Sequence, residues 1–370
     1  MSQPDLAAIA AAFRVPGSFV GARRYGSGHI NDTYLLEHDE GGRRAFHVLQ
    51  RVNHLVFQDP AALMENVRRV LAHLESKLDG LRDKQRRMLT LVPARDGRPF
   101  HRDPAGNYWR LYVHIQGGRT YDVVESPRQA FEAAKAFGAF QQQLADLKPP
   151  RLHETIPGFH DTPKRYEAFE RAVAADAAGR ARLAREEIEF ARRRETTTRA
   201  LEDLRRRGDL PERIAHNDTK FNNVIIDDET GEGLCVIDLD TVMPGLALHD
   251  FGDMARAIAN PAAEDETDLS KVEISLPHFE ALARGYLSAA GGFLTPVERA
   301  QLPMSARVLA LELGLRFLTD YLAGDVYFKT HRPDHNLDRC RTQLKLVASL
   351  EERHAALKRV VEQADPRPSR

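Results

Sequence analysis

The chain has 370 residues, 42% hydrophobic and 29% charged, enough apolar side chain for the cores of two domains and enough charge to keep them dissolved. Its 53 basic and 54 acidic side chains leave a formal charge of −1, so no overall field draws it to nucleic acid or an anionic membrane, and any anion site must be local. Two cysteines are too few for a disulfide framework, no apolar run reaches the ~20 residues of a membrane span, and 1–16 lack the blocks of a signal peptide, so a reducing cytoplasm is the expected location.

Taken in order, Ser18–Arg24, 32–37 and Arg44–Val52 carry β-branched and aromatic residues between glycine turns and predict three strands of an antiparallel meander. Asp59 and Pro60 form an N-cap and first-turn proline for a helix over 60–74, whose Leu63, Val67, Val70, Leu71 and Leu74 share one stripe. Segments 89–92 and 108–115 predict two more strands, and Gly117-Gly118 ends the pattern. From Pro127 on, helical spacing dominates, over 127–147, 163–207, 245–259, 277–290, 296–323 and 337–363. The expectation is an α+β chain in two lobes: a small one over 1–116 with an antiparallel sheet and one helix, and a large, mainly helical one over 117–370. The arginines of 180–207 interleave with Glu186, Glu187, Glu189, Glu195, Glu202 and Asp203 at one-turn spacing, the mark of a solvated, self-paired face.

Residues 214–245 interrupt the helices and carry the chemistry. His216, Asp218 and Asn223 fill H-x-D-x-x-x-x-N, in which the aspartate takes the proton of an attacking hydroxyl and the asparagine holds a metal ion. Lys220 adds a cation where a transferred phosphoryl group needs one. Two apolar strand segments, 224–226 and 235–237, flank a turn-rich link, and Asp238 follows Asp218 by 238 − 218 = 20 residues. Phosphoryl transfer asks for positioning and charge neutralisation, and magnesium takes oxygen ligands while keeping water, so Asn223 and Asp238 suffice as its protein ligands. Asp240 points the same way as Asp238 if the segment is extended, and then reaches a second metal or the acceptor; it suits a turn cap before Met243 equally well. Gly26, Ser27 and Gly28 can bring backbone N–H groups up to nucleotide phosphates, although Asn31 stands where a third glycine would complete the usual loop.

The runs 26–34, 49–53, 216–224, 235–245, 250–253, 315–322 and 324–328 make the chain resemble the aminoglycoside phosphotransferase and choline kinase superfamily, which has a protein-kinase-like fold. Within it, the chain is similar to the sugar kinases typified by N-acetylhexosamine 1-kinase. The resemblance implies ATP and Mg2+ as cofactors, Asp218 as catalytic base, Lys220 near the γ-phosphate, and Asn223 and Asp238 as metal ligands. It implies His29, Asn31, Arg316 and Tyr327 as sugar contacts, with His216 and Asp250 bracing the catalytic loop. Adenine is expected against the backbone of 112–116, at Val113 and Ile115.

One departure matters. Protein-kinase-like folds pair a third-strand lysine with a glutamate of the next helix, yet Phe46-His47-Val48-Leu49-Gln50-Arg51 holds no lysine. Arg51 is favoured over Gln50 on charge, with Glu65 as its partner. Arg316 has a second reading, since Glu312, Arg316 and Asp320 are spaced as a surface salt ladder. The expected acceptor is a sugar, giving a sugar 1-phosphate, with aminoglycoside, choline and homoserine-type acceptors as alternatives and a nucleotide-binding pseudokinase as the alternative of another class. A monomer or homodimer is expected, without nucleic-acid or membrane partners.

Overall fold

The structure, a computed structural model, describes residues 4–26 and 30–365, and the chain divides into two units. The first comprises Met1–Gly118, Asp146–Pro157 and Leu234–Met243; the second comprises Arg119–Ala145, Gly158–Gly233 and Pro244–Arg370.

In the first unit β1 (Ser18–Arg24), β2 (Asp32–Asp39) and β3 (Arg44–Val52) form the expected antiparallel meander. The chain returns through β4 (Leu91–Val92), β5 (His101–Arg102) and β6 (Tyr108–Val113), and the sheet order is β1-β2-β3-β6-β4 with β5 on β6. Strand alternation sorts the side chains. Tyr34, Leu36, Leu49, Trp109 and Leu111 build one core with Ile9 and Phe13, which come from α1 (Leu6–Ala11) and its end, a helix not foreseen from the sequence. Complete burial of side chains such as Leu36, Leu49 and Leu111 stabilises by about 1.5–3 kcal/mol each.

Gln50 and Arg110 lie opposite one another in the β3–β6 register. Being one residue out of phase with Leu49 and Leu111, they face the other side of the sheet, toward α2 (Pro60–Lys77), where Arg110 Nη1 is 3.9 Å from Met64 Sδ. This helix starts as expected: the Asp59 side chain accepts the N–H groups of Ala61 and Ala62 at 3.1 and 3.0 Å, and Pro60 occupies the first turn, where no N–H is needed. Buried Asn66 on α2 gathers the distant pieces of the unit. Its Nδ2 donates to the carbonyls of His153 and Val242 at 2.8 and 3.3 Å, and its Oδ1 accepts from His153 N at 2.9 Å.

The second unit is mainly helical. Its helices cross where a side chain is only a hydrogen atom: a Cβ on Gly285 of Leu276–Ala290 would stand 2.1 Å from the Phe131 carbonyl of Pro127–Leu144, and one on Gly252 of Ala247–Ile258 would stand 2.5 Å from the Ser305 carbonyl of Leu302–Ala323. Leu302–Ala323 is buried almost all round, as its apolar sequence demands.

Several helices are shorter than their apolar periodicity predicts. The run 163–207 is three helices, Thr162–Ala175, Arg185–Arg192 and Glu195–Arg206, because Asp176 takes a left-handed backbone (φ 38°) and ends the first. The run 296–323 breaks before Leu302, where Pro303 falls in a new first turn, and 337–363 divides at Arg353 into His335–Glu352 and His354–Ala364. Among the described residues no helix is long and apolar enough to cross a membrane.

Candidate active site

The H-x-D-x-x-x-x-N motif lies in the second unit and runs from the end of the strand Arg213–Ala215 through the short 3-10 turn Phe221–Asn223. Asp250, buried at the start of Ala247–Ile258, accepts the backbone N–H groups of His216 and Asn217 at 2.8 and 2.7 Å and the Gln141 amide at 2.5 Å. One helical turn on, Asp253 accepts Thr219 N–H at 2.8 Å, and the Thr219 hydroxyl donates to the Asp250 carbonyl at 2.7 Å. Burial alone would raise the Asp253 carboxyl, but the Arg256 guanidinium at 2.6 Å holds it below the usual carboxylate range. The His216 ring is buried edge-on against Phe137 and Phe140 and accepts Asp218 N–H at 3.3 Å, so it braces the loop.

Asp218 itself is left partly open to solvent. Its Oδ1 stands 2.9 Å from Lys220 Nζ, with side-chain exposures of 26% and 47%, and Asn223 Nδ2 reaches its Oδ2 at 3.2 Å and its carbonyl at 2.8 Å. The neighbouring Asp218 charge raises the Lys220 pKa and keeps the amine a cation. The loop thus brings together Asp218, Lys220 and Asn223.

Behind it His160 donates Nε2–H to the Asn217 carbonyl at 3.0 Å and Nδ1–H to Glu312 at 2.8 Å, and the Thr162 hydroxyl donates to Glu312 at 2.5 Å. Burial opposes charge on Glu312, but His160, Thr162 and Arg316 outweigh it and set its pKa at about 2. The surface salt ladder therefore does not form: Glu312 is buried, Asp320 is buried with the N–H groups of Val326, Tyr327 and Phe328 on its oxygens at 2.9, 2.8 and 2.9 Å, and Arg316 lies over the Phe159 and Phe328 rings at 5.4 and 5.5 Å. Tyr327 is 62% exposed. Arg165, missed in the sequence, stands close enough to Arg316 that burial and then the neighbouring guanidinium lower its pKa.

The first unit corrects more of the expected assignments. Asp238 is not in an extended segment: its backbone is left-handed (φ 59°, ψ 62°) and Leu239–Thr241 forms a 3-10 turn, so strand alternation does not aim Asp240 with it. Asp240 is 2% exposed, its Oδ1 is paired with Arg110 and its Oδ2 accepts Asn31 Nδ2–H at 2.7 Å, so both of its oxygens are engaged within the unit. Asn31 is likewise engaged at both ends, since its Oδ1 accepts Asn53 N–H at 3.0 Å.

Arg51 does not pair with Glu65. It pairs with Asp32, while Glu65 faces His153 at 3.0 Å. The buried guanidinium beside β3 comes from β6 instead: Arg110 donates Nε–H to Gln50 Oε1 at 2.9 Å. An arginine amid Trp109, Leu111 and Tyr112 was the available signal, because a guanidinium in an apolar strand requires a carboxylate partner. Val113 is 41% exposed, but its N–H is donated to the Thr90 carbonyl at 2.9 Å and is not offered to a base; Ile115 is buried. Gly26 has φ 78° with open space around it, and Ser27, Gly28 and His29 lie outside the described residues.

Residues 21–297 match the family model of the phosphotransferase enzyme family, and the chain belongs to that family. It is a phosphotransferase of the kind that phosphorylates an alcohol group. Among solved structures it is similar to an aminoglycoside phosphotransferase from Alicyclobacillus acidocaldarius at 13% identity and TM-score 0.61, covering 99% of this chain and 98% of that one. It is also similar to choline kinase from Cryptosporidium parvum (13%, 0.57, 96% of each chain) and to an ethanolamine kinase from Plasmodium vivax (13%, 0.55, 87% and 82%). At these identities the likeness is one of fold, and the α+β architecture, with its antiparallel sheet and helical remainder, is the protein-kinase-like fold of that group.

Proposed function

We propose that the chain is a magnesium-dependent kinase that transfers the γ-phosphoryl group of ATP to a sugar hydroxyl, foremost C1 of an N-acetylhexosamine such as GlcNAc or GalNAc. The observation that carries this reading is the half-open Asp218 carboxylate between Lys220 and Asn223, on a loop whose other groups are buried or tied. Asp218 takes the proton of the acceptor hydroxyl as its oxygen bonds to the γ-phosphorus, the bond from phosphorus to the bridging oxygen breaks, and ADP leaves. The anomeric hydroxyl is more acidic than an ordinary alcohol, so an ordinary carboxylate suits it as base. Lys220 places a cation beside that carboxylate, where charge accumulates on the transferred group.

Magnesium is read from donor chemistry: Asn223 gives its Nδ2 to Asp218, which leaves Oδ1 as an oxygen of the kind that a hard cation keeping its water accepts, and Asp238 is a carboxylate of the same hard-donor class. When bound, the ion would neutralise nucleotide phosphate charge.

The sugar reading is supported by Arg316 between two aromatic rings, with Arg165 close by. Guanidinium donors and ring faces suit a neutral polyol, whereas two adjacent cations repel an aminoglycoside or a quaternary ammonium. The same pair of arginines favours one second reading, a hydroxy-amino acid such as homoserine, whose carboxylate would meet them. ADP release with ATP and magnesium, measured against GlcNAc, GalNAc, unacetylated hexoses, choline, homoserine and kanamycin with the product located by phosphorus NMR, decides between them. A C1-phosphorylated N-acetylhexosamine is the expected product, and turnover with kanamycin or choline alone overturns the acceptor.

A further inference from the structure

Asp238 holds a left-handed backbone without being a glycine, and such a conformation persists only where neighbouring bonds leave it no alternative. Those bonds converge on Asp240, two residues on: Oδ1 pairs with Arg110, Oδ2 accepts from Asn31 at 2.7 Å, and the carbonyl accepts the Thr155 hydroxyl at 2.7 Å. Gln50 Oε1 fixes the Arg110 Nε–H at 2.9 Å, so the guanidinium is aimed as well as paired. At 1% exposure Arg110 presents no charge to a ligand in solvent, and its charge serves an internal purpose.

We infer that Arg110 is a positioning residue for Asp238, clamping Asp240 so that the turn it begins holds the Asp238 carboxylate in a ligand-ready geometry. The inference rests on the reading of Asp238 as a magnesium ligand. It also accounts for the missing third-strand lysine: the buried cation of this sheet has moved to β6, where it organises the metal-binding segment in place of touching phosphate. Asn31 is the second arm of the clamp and ties the start of β2 to the same carboxylate.

Removing Arg110 alone would strand a buried carboxylate, so the main variant is Arg110→Met with Asp240→Leu, which leaves no buried charge. Asn31→Ala is the second variant and carries the test if the first does not fold. Calorimetric binding of ADP with and without magnesium is measured for both, with Asp238→Ala as reference and thermal unfolding as a check on folding. The expected result is that Asp238→Ala and the double variant each weaken magnesium-ADP binding at least tenfold, and Asn31→Ala about threefold, while magnesium-free ADP binding stays within twofold of the parent. Arg110→Lys, which keeps the charge but cannot reach Gln50 and Asp240 together, should retain part of the magnesium-ADP affinity that the double variant loses. A folded double variant, or a folded Asn31→Ala, with parental magnesium-ADP affinity beside a defective Asp238→Ala overturns the positioning role alone. Undiminished magnesium-ADP binding by Asp238→Ala overturns the metal reading and this inference with it.

Discussion

The Asp250 carboxylate accepts the backbone N–H of Asn217 at 2.7 Å, and Asn217 stands in the left-handed region with φ 65°, immediately before Asp218. The strained residue and its brace are buried, so the catalytic loop is shaped by a helix that follows it in sequence. Asp250→Ala would leave the His216 and Asn217 N–H groups and the Gln141 amide without this acceptor. At about 1–3 kcal/mol for each buried donor, a loss of about 3 kcal/mol or more is expected in urea unfolding, with turnover abolished. A variant of parental stability would show that the brace is dispensable.

Asp218→Asn removes the proton acceptor but keeps the shape of the side chain. A positioned general base contributes about 10²–10⁴-fold, so kcat should fall within that range while ADP affinity stays within a few-fold. Turnover at the parental rate, followed by coupled ADP release, would sink the assignment.

His160 faces two acceptors, Glu312 at 2.8 Å and the Asn217 carbonyl at 3.0 Å, and the ring can donate to both only as an imidazolium. Burial opposes the charge, but Glu312 outweighs it and raises the pKa above 6.5. A base whose folded pKa is raised contributes stability that is complete below its unfolded value of 6.5 and is lost as pH rises through the folded value. On the acid side, Glu312 contributes stability above its unfolded 4.5, lost as pH falls toward about 2. Unfolding free energy should therefore decline from neutral into alkaline pH, and His160→Gln should flatten that decline. An unchanged alkaline slope would mean the ring is neutral.

Arg316→Ala removes the guanidinium between Phe159 and Phe328, a placement that contributes about 0.5–1 kcal/mol per ring even without a ligand. If Arg316 also meets the acceptor, the acceptor KM should rise about tenfold while the nucleotide KM is unchanged. Equal changes in both constants would assign the residue to packing.

Much of this was readable in one dimension. The catalytic loop announces itself because His216, Asp218, Lys220 and Asn223 fall within one short run, and α2 because its cap and apolar stripe are local. The clamp was not legible, since Arg110 is 130 residues from Asp240 and Asn31 is 209. Asp240 looked like a ligand because it follows Asp238 by two, an argument that fails once one backbone torsion is left-handed. Charge alone favours Arg51, but register decides which strand residues share a face, and Gln50 is the one opposite Arg110. The helix breaks at Asp176 and Arg353 escaped because each is a single backbone departure inside helix-favouring sequence.

The carboxylate of Asp320 gathers three successive N–H groups from Val326, Tyr327 and Phe328, with the Asn336 amide at 2.9 Å as a fourth donor. The protein has thus folded a turn around an anion of its own. Immobilising backbone costs about 1–2 kcal/mol per residue, and here that entropy is lost once, during folding, and not at each encounter with a ligand. A rim preformed in this way, with Tyr327 exposed on it, leaves less backbone entropy to be lost when anything binds there.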